Sequence, residues 1–145
     1  MARTWEQNCV EEFHRKFGQA IGQNAGDNWG DAAIRKHRAK LVLEEALEFV
    51  AASGVDVGEL LNELPELQPH AYLPDAVDGL CDLLYVIYGS GVTHGVDLRS
   101  PFEVVHLANM AKFGGGVTAE GKVIKPPGWK PPDLTPVLRE QGWIP

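Results

Sequence analysis

The feature that most constrains the fold is the apolar run Leu80–Tyr88, which carries a single carboxylate, Asp82. As a helix, this run presents apolar side chains in nearly every direction and leaves little room for a solvated face. Burying an isolated charge costs several kcal/mol, so a buried aspartate is normally paired or bound to a metal. The run therefore predicts a helix whose surface is largely covered and whose acid has a partner.

Two further acids precede Asp82 at helical spacing. Asp78 lies one turn earlier and Asp75 two turns earlier, and all three project within roughly 60° of one another on a helix. Like charges one turn apart repel, which favours a positive group among them. Simpler interpretations stay open, because Asp75 follows Pro74 and suits a first helical turn, and Asp78 can face water.

A second acidic cluster lies on the longest predicted helix, which Asp31 caps and which runs to about Ser53. This helix begins basic and turns acidic at Glu44, Glu45 and Glu48. Alone, the pattern also fits an amphipathic helix with solvated acids. The simplest way to neutralise both clusters is to place them face to face across a divalent cation. Carboxylate oxygens without histidine or cysteine suit Mg²⁺, with Mn²⁺ as the alternative.

The remaining segments predict shorter elements. Thr4–Gln7 and Ser100–Glu103 read as capping boxes that open two more helices. Residues 19–30 are rich in glycine and predict a loop, in which Trp29 either fills the core or stacks on a flat ligand. Residues 117–124 predict a small hairpin around Glu120–Gly121.

Polar residues near the C-terminus are candidates for phosphate binding. Asn109 and Lys112 are one turn apart on the predicted fourth long helix, where an exposed polar face is the other interpretation. The proline-rich segment 125–132 is stiff and extended, and it carries Trp129. This segment fits a rigid cover over a site, with Trp129 packed down or stacked on a base, or a strap that binds a protein partner.

Composition excludes several classes of protein. The formal net charge of −7 argues against binding of a nucleic-acid polymer, but not against small phosphates held through metal ions. Two cysteines are too few for a zinc cage or a disulfide scaffold. No signal-peptide pattern or membrane span is evident, so we expect no membrane partner and a cytoplasmic location, that of the host if a phage encodes the chain.

Together these motifs resemble a known family. Glu44–Glu48 matches the Glu-Glu-x-x-Glu motif of the MazG-like superfamily of all-alpha NTP pyrophosphohydrolases, and Asp82–Val86 matches its second-helix motif. Asn109–Lys112 and the tail to Asp133 are similar to the short bacterial and phage members, which are related to dimeric dUTPases. The resemblance spans roughly residues 10–133. Where the family commonly has glutamate, three residues before the aspartate, this chain has Gly79.

The resemblance implies an all-α fold, an antiparallel helical bundle with a short extended or hairpin C-terminal tail. Residues 1–145 would form a single MazG-like domain, with a helical core over about 4–114 and a tail over 115–145. Members of the superfamily assemble as homodimers or homotetramers with sites near the subunit interfaces, so a second copy of the chain is an expected partner.

The resemblance also implies roles for individual residues. Mg²⁺ would be held by Glu45, Glu48 and Asp82, with Asp78 standing in for the missing family glutamate. Glu44 would be the general base or a further metal ligand. Groups expected to meet the nucleotide are Arg38, Asn109, Lys112, Lys122, Lys125 and, as a candidate for the base, Trp129.

The implied reaction is attack by metal-activated water between the α and β phosphates of a nucleoside triphosphate, which releases a nucleoside monophosphate and pyrophosphate. Candidate substrates are purine deoxynucleotides such as dGTP, or dUTP. Hydrolysis of phosphoribosyl-ATP is an alternative within the same chemistry. A non-catalytic helical module whose tail binds a partner is an alternative of another class.

Overall fold

The computed structural model of the protein describes residues 3–119 and 122–145. Over these residues the chain is all-helical, which confirms the predicted fold class. Its six helices are α1 (Trp5–Lys16), α2 (Ala32–Ala52), α3 (Val57–Glu63), α4 (Leu73–Thr93), α5 (Arg99–Met110) and α6 (Thr135–Glu140).

Two of the helices begin at the caps that the sequence predicts. Thr4 and Gln7 form the predicted capping box of α1, and the Asp31 carboxylate accepts from two backbone N–H groups at the start of α2. The predicted capping box at Ser100 is wrong. Helix α5 begins two residues earlier than that motif predicts, at Arg99, whose backbone N–H donates to the carboxylate of Asp97 at 3.0 Å.

Helices α1 and α5 pack side by side and run in the same direction. The rings of Trp5 and Phe102 meet edge to face near the two N-termini, with centroids 5.8 Å apart. At the other end, the ammonium group of Lys16 donates to the carbonyl of Met110 at 3.3 Å. This helix pair is the scaffold against which the C-terminal tail folds.

The tail turns back immediately after α5. Val117 and Val123 form an isolated antiparallel bridge, and the hairpin turn predicted at Glu120–Gly121 lies outside the described residues. Gly115 makes this return possible, since a Cβ atom there would collide with the backbone carbonyl of Ile124. Tail residues are thereby brought against the C-terminal end of α5.

Helix α4 departs from the sequence-based expectation. Its apolar run is not covered in the single chain, and Tyr85 is 82% exposed and Val92 81% exposed. Among the described residues, no large apolar side chain is fully buried, and α2 and α4 do not pack against each other. The expected antiparallel pairing of these two helices is therefore not formed within one chain, which leaves Asp82 exposed.

In the described part of the chain, none of the helices combines the length and the apolar character that a membrane span requires.

Candidate functional site

A cavity of about 310 Å³ lies between α1, α2, α5 and the returning tail. Its apolar walls come from α1 and α5, including Phe13 and Phe102. The polar side chains that line it are His14, Gln19, Arg38, Glu45, His106, Asn109, Lys112 and Lys122. Four of the residues predicted from sequence to meet the nucleotide thus share one cavity with a predicted metal ligand.

Lys112 is a half-buried member of this polar lining. Its ammonium group donates to the side-chain oxygen of Asn109 at 2.7 Å, so the predicted one-turn pair is formed. Burial is the main cause that lowers the pKa of Lys112, followed by the charge of Lys125, while the Glu45 carboxylate opposes this shift and Lys122 adds to it. Concentrated positive charge in a partly desolvated site attracts an anion.

Glu44 is held by two lysines. Its carboxylate lies 3.6 Å from the ammonium group of Lys40, one turn earlier on α2, and 3.5 Å from that of Lys122 in the tail. Ion pairs this exposed contribute little to stability. The contact to Lys122 nevertheless shows that the tail reaches across to the acidic end of α2.

Lys125 and Trp129 adjoin the cavity without lining it. The indole N–H of Trp129 donates to the carbonyl of Ala108 at 2.8 Å, so the ring is packed down on α5. The ammonium groups of Lys112 and Lys125 lie 5.2 and 4.8 Å from the centre of that ring. Both distances fall within the range of a cation–π contact.

The acids predicted to bind metal are only partly assembled. Glu45 lines the cavity, whereas Glu48, Asp78 and Asp82 are exposed and lie outside its lining. Within the described residues, no three acidic, histidine or cysteine side chains converge closely enough to hold an ion. The donor chemistry suits a hard cation, but the described part of one chain does not gather a full ligand set.

Two histidines belong to the site more clearly in the structure than in the sequence. His106 lies on the same face of α5 as Asn109, and its Nε2 atom is 3.8 Å from the carboxylate of Glu12. His14 contacts the carbonyl of Ala20 through Nδ1 at 2.9 Å, which ties the loop after α1 to the helix. The helical spacing of His106 and Asn109 is the sequence signal for the position of His106. The position of His14 in the site depends on where the loop after α1 folds back, which the sequence does not indicate.

The all-helical fold and its similarity to known proteins place this protein among the all-alpha pyrophosphohydrolases, which are hydrolases of phosphoanhydride bonds. More particularly, the chain belongs to the phosphoribosyl-ATP pyrophosphohydrolase family, whose sequence model matches residues 10–109. Membership confirms the resemblance to the MazG-like superfamily. It also sets aside the alternative of a non-catalytic helical module.

Comparison with solved structures supports the same class. In total, 12 chains match significantly. One is the crystal structure, at 1.78 Å resolution, of a protein from Exiguobacterium sp. 255-15 provisionally assigned as an NTP pyrophosphohydrolase. It is 28% identical, with a TM-score of 0.64, and the match covers 97% of this chain and 95% of that one. A comparison with curated proteins gave no significant match.

Proposed function

We propose that the protein hydrolyses a nucleoside or deoxynucleoside triphosphate to the monophosphate and pyrophosphate, with Mg²⁺ as cofactor. The observation that carries this proposal is the cavity in which Arg38, Asn109, Lys112 and Lys122 gather beside Glu45. A triphosphate carries several negative charges and needs such a cluster of donors. The candidate substrates are dGTP or another purine deoxynucleotide, and dUTP.

The acidic side chains have two proposed roles, metal binding and general base catalysis. Glu45, Glu48 and Asp82, with Asp78 as the neighbouring acid, are the proposed Mg²⁺ ligands, and Mn²⁺ would fit the same oxygen donors. These residues would hold the ion, which would supply Lewis-acid chemistry for the phosphates and for a water molecule. Glu44 is the proposed general base. Its carboxylate lies 3.5 Å from the ammonium group of Lys122, a residue that lines the cavity, and this proximity supports the proposed role.

A second copy of the chain is part of the proposal. Helix α4 exposes a long apolar surface, and continuous apolar patches on a protein surface mark interaction sites. Each Å² removed from water there contributes about 25 cal/mol. A homodimer or homotetramer would cover this surface and supply the burial that the single chain lacks.

Assembly would also complete the ligand set. Because α2 and α4 are not packed together within one chain, α4 of a second copy is the proposed source of Asp82 for the Glu45–Glu48 cluster of the first. Residues 1–145 would act as one domain in each copy, since tail residues line the same cavity as α1, α2 and α5.

Phosphoribosyl-ATP is the second candidate substrate. The matched family model carries that name, and the bond to be cleaved is the same phosphoanhydride. The cationic cavity serves either molecule, because both present a triphosphate. The distinction depends on where the extra phosphoribosyl group of the second substrate would lie.

A substrate panel tests the proposal. The protein is incubated with each nucleoside and deoxynucleoside triphosphate and with phosphoribosyl-ATP, in the presence of Mg²⁺, Mn²⁺ or a chelator. Pyrophosphate and orthophosphate are measured separately. We expect pyrophosphate from at least one substrate, loss of activity with the chelator, and recovery on adding Mg²⁺.

Variants assign the activity to the proposed residues. Glu48→Ala and Asp82→Ala are expected to lower kcat by at least a thousandfold, because a metal-dependent step loses a ligand. Glu140→Ala, an exposed acid on α6 outside the cavity lining, is the matched control and should leave the rate unchanged. Full activity in Glu48→Ala and Asp82→Ala would remove the proposed metal site.

A further inference from the structure

Trp129 is held by a tight turn and a hydrogen bond to α5, and it makes two cation–π contacts. The turn that carries it is short: its backbone N–H donates to the carbonyl of Pro126 at 3.1 Å, and Gly128 has a φ of +80°. That geometry fits a type II turn, which needs glycine at its third position. The indole is thereby aimed from the tail onto the end of α5.

The indole supplies a hydrogen bond that α5 lacks. Ala108 is among the last four residues of the helix, whose carbonyl groups have no partner within the helix. The Trp129 N–H satisfies this carbonyl at 2.8 Å. The turn and the hydrogen bond therefore both fix the ring against the helix, and the N–H edge of the indole is occupied by its bond to the backbone.

The ring also holds two like charges close together. Lys112 comes from the end of α5 and Lys125 from the tail, and both ammonium groups lie within about 5 Å of the ring centre. Two ammonium groups at one site repel, and the electron-rich face of an indole offsets part of that repulsion. Lys112 in turn lines the cavity beside Arg38 and Lys122.

We propose that Trp129 is a positioning residue that holds Lys112 in the cavity wall and Lys125 beside the cavity, where the two ammonium groups bind the polyphosphate of the substrate. It acts through the lysines and does not stack on the nucleotide base. This inference rests on the proposed function, because it specifies how the same cavity recognises its substrate.

Inorganic tripolyphosphate distinguishes positioning of the lysines from stacking on the nucleotide base, because it carries the phosphate charge of the substrate and has no base. Its binding is measured by calorimetry for the wild type, Trp129→Phe, Trp129→Leu and the control Trp143→Leu, a tryptophan outside the cavity lining. We expect Trp129→Leu to weaken tripolyphosphate binding roughly tenfold and Trp129→Phe, which keeps an aromatic face, to weaken it roughly twofold to threefold. Trp143→Leu should bind like the wild type.

Kinetics with the hydrolysed nucleotide gives an independent readout. If the lysines are misplaced, KM rises by a similar factor for every base tested, while kcat changes less than KM. A double-mutant cycle with Lys125→Met tests whether Trp129 acts through Lys125. In that case Trp129→Leu should weaken substrate binding less on the Lys125→Met background than on the wild type. A purely structural role of the tryptophan would leave the two effects additive.

The proposal is overturned if Trp129→Leu keeps its fold by circular dichroism and binds tripolyphosphate within twofold of the wild type. Weaker binding of nucleotides alone, with tripolyphosphate unaffected, would overturn it in favour of base stacking. If Trp129→Leu does not fold, the Trp129→Phe and Lys125→Met cycle decides. A wild type that hydrolyses no substrate but binds tripolyphosphate in a Trp129-dependent way contradicts the proposed function and supports this inference.

Discussion

The cationic cavity and the two acidic helices differ in how far one chain assembles them. Lys112, Asn109 and Lys122 come together because α5 and the tail that follows it are adjacent in sequence and folded back on each other. Glu48 and Asp82 lie on helices that do not touch within the chain. The proposed phosphate-binding half of the site is thus assembled within one chain, and the proposed metal-binding half is not.

The difference follows from how each region is stabilised. The tail is held by local turns, by the tight approach at Gly115 and by the hydrogen bond from Trp129. Among the described residues, helix α4 does not pack against another helix, and most of its large apolar side chains are exposed. A large exposed apolar surface of this kind is typical of a site that interacts with another surface.

Charging the exposed surface of α4 should produce the largest effect. We expect Tyr85→Asp to abolish both self-association and hydrolysis, because a carboxylate in a buried interface between copies costs several kcal/mol. Light scattering and pyrophosphate release measure the two outcomes. Leu67→Asp, the same change at a residue that is also 82% exposed but lies outside α4, is the control. An active, unchanged oligomer of Tyr85→Asp would show that α4 is not the interface.

Mixing two inactive variants tests whether the acids come from different copies. If α2 of one copy meets α4 of another, half of the dimers formed from equal amounts of Glu48→Ala and Asp82→Ala are mixed, and each has one intact site. Activity should then return to about a quarter of the wild-type value after co-refolding. The control is each variant refolded alone. No recovery, despite mixed dimers seen by mass spectrometry, would place both acids of a site in one copy.

A substitution that obstructs the return of the tail should weaken nucleotide binding by the cationic cavity without affecting assembly. In Gly115→Ala the added methyl group collides with the Ile124 carbonyl, so the tail and Lys122 must shift. We expect KM for the nucleotide to rise roughly fivefold to tenfold, with the oligomer unchanged. Gly30→Ala, where a Cβ atom meets nothing within 4 Å, serves as the control. An unaltered KM would mean that the position of the tail does not matter for binding.

The smallest expected effect concerns pH. Burial and the nearby charges of Lys125 and Lys122 lower the pKa of Lys112, while Glu45 opposes them. Because the protonated amine binds phosphate, tripolyphosphate affinity should fall as pH rises through this lowered pKa. Lys125→Met removes one repelling charge, so the fall should move to higher pH. Calorimetric titrations across alkaline pH measure this, and a shift to lower pH would contradict the assigned electrostatics.

Much of the site was predictable from sequence because its signals are local. The spacing of Asn109 and Lys112 predicts a shared helical face, and the two side chains are hydrogen-bonded in the structure. The Glu44–Glu48 motif identified the superfamily, which the family match confirms. The metal ligands and the catalytic role of Glu44 remain predictions. The contact between Trp129 and Ala108 was not predictable, because it depends on how the chain turns at Gly115 and Gly128.

The sequence alone determined the long helices, the caps of α1 and α2, and the class of enzyme. Caps and helical periodicity depend on residues within a few positions of each other, so one sequence contains all the information they need. Only the tertiary structure decided that the tail closes the cavity and that α4 stays open to solvent. Burial depends on distant segments meeting in space, and for α4 the covering surface is not supplied by the described part of its own chain.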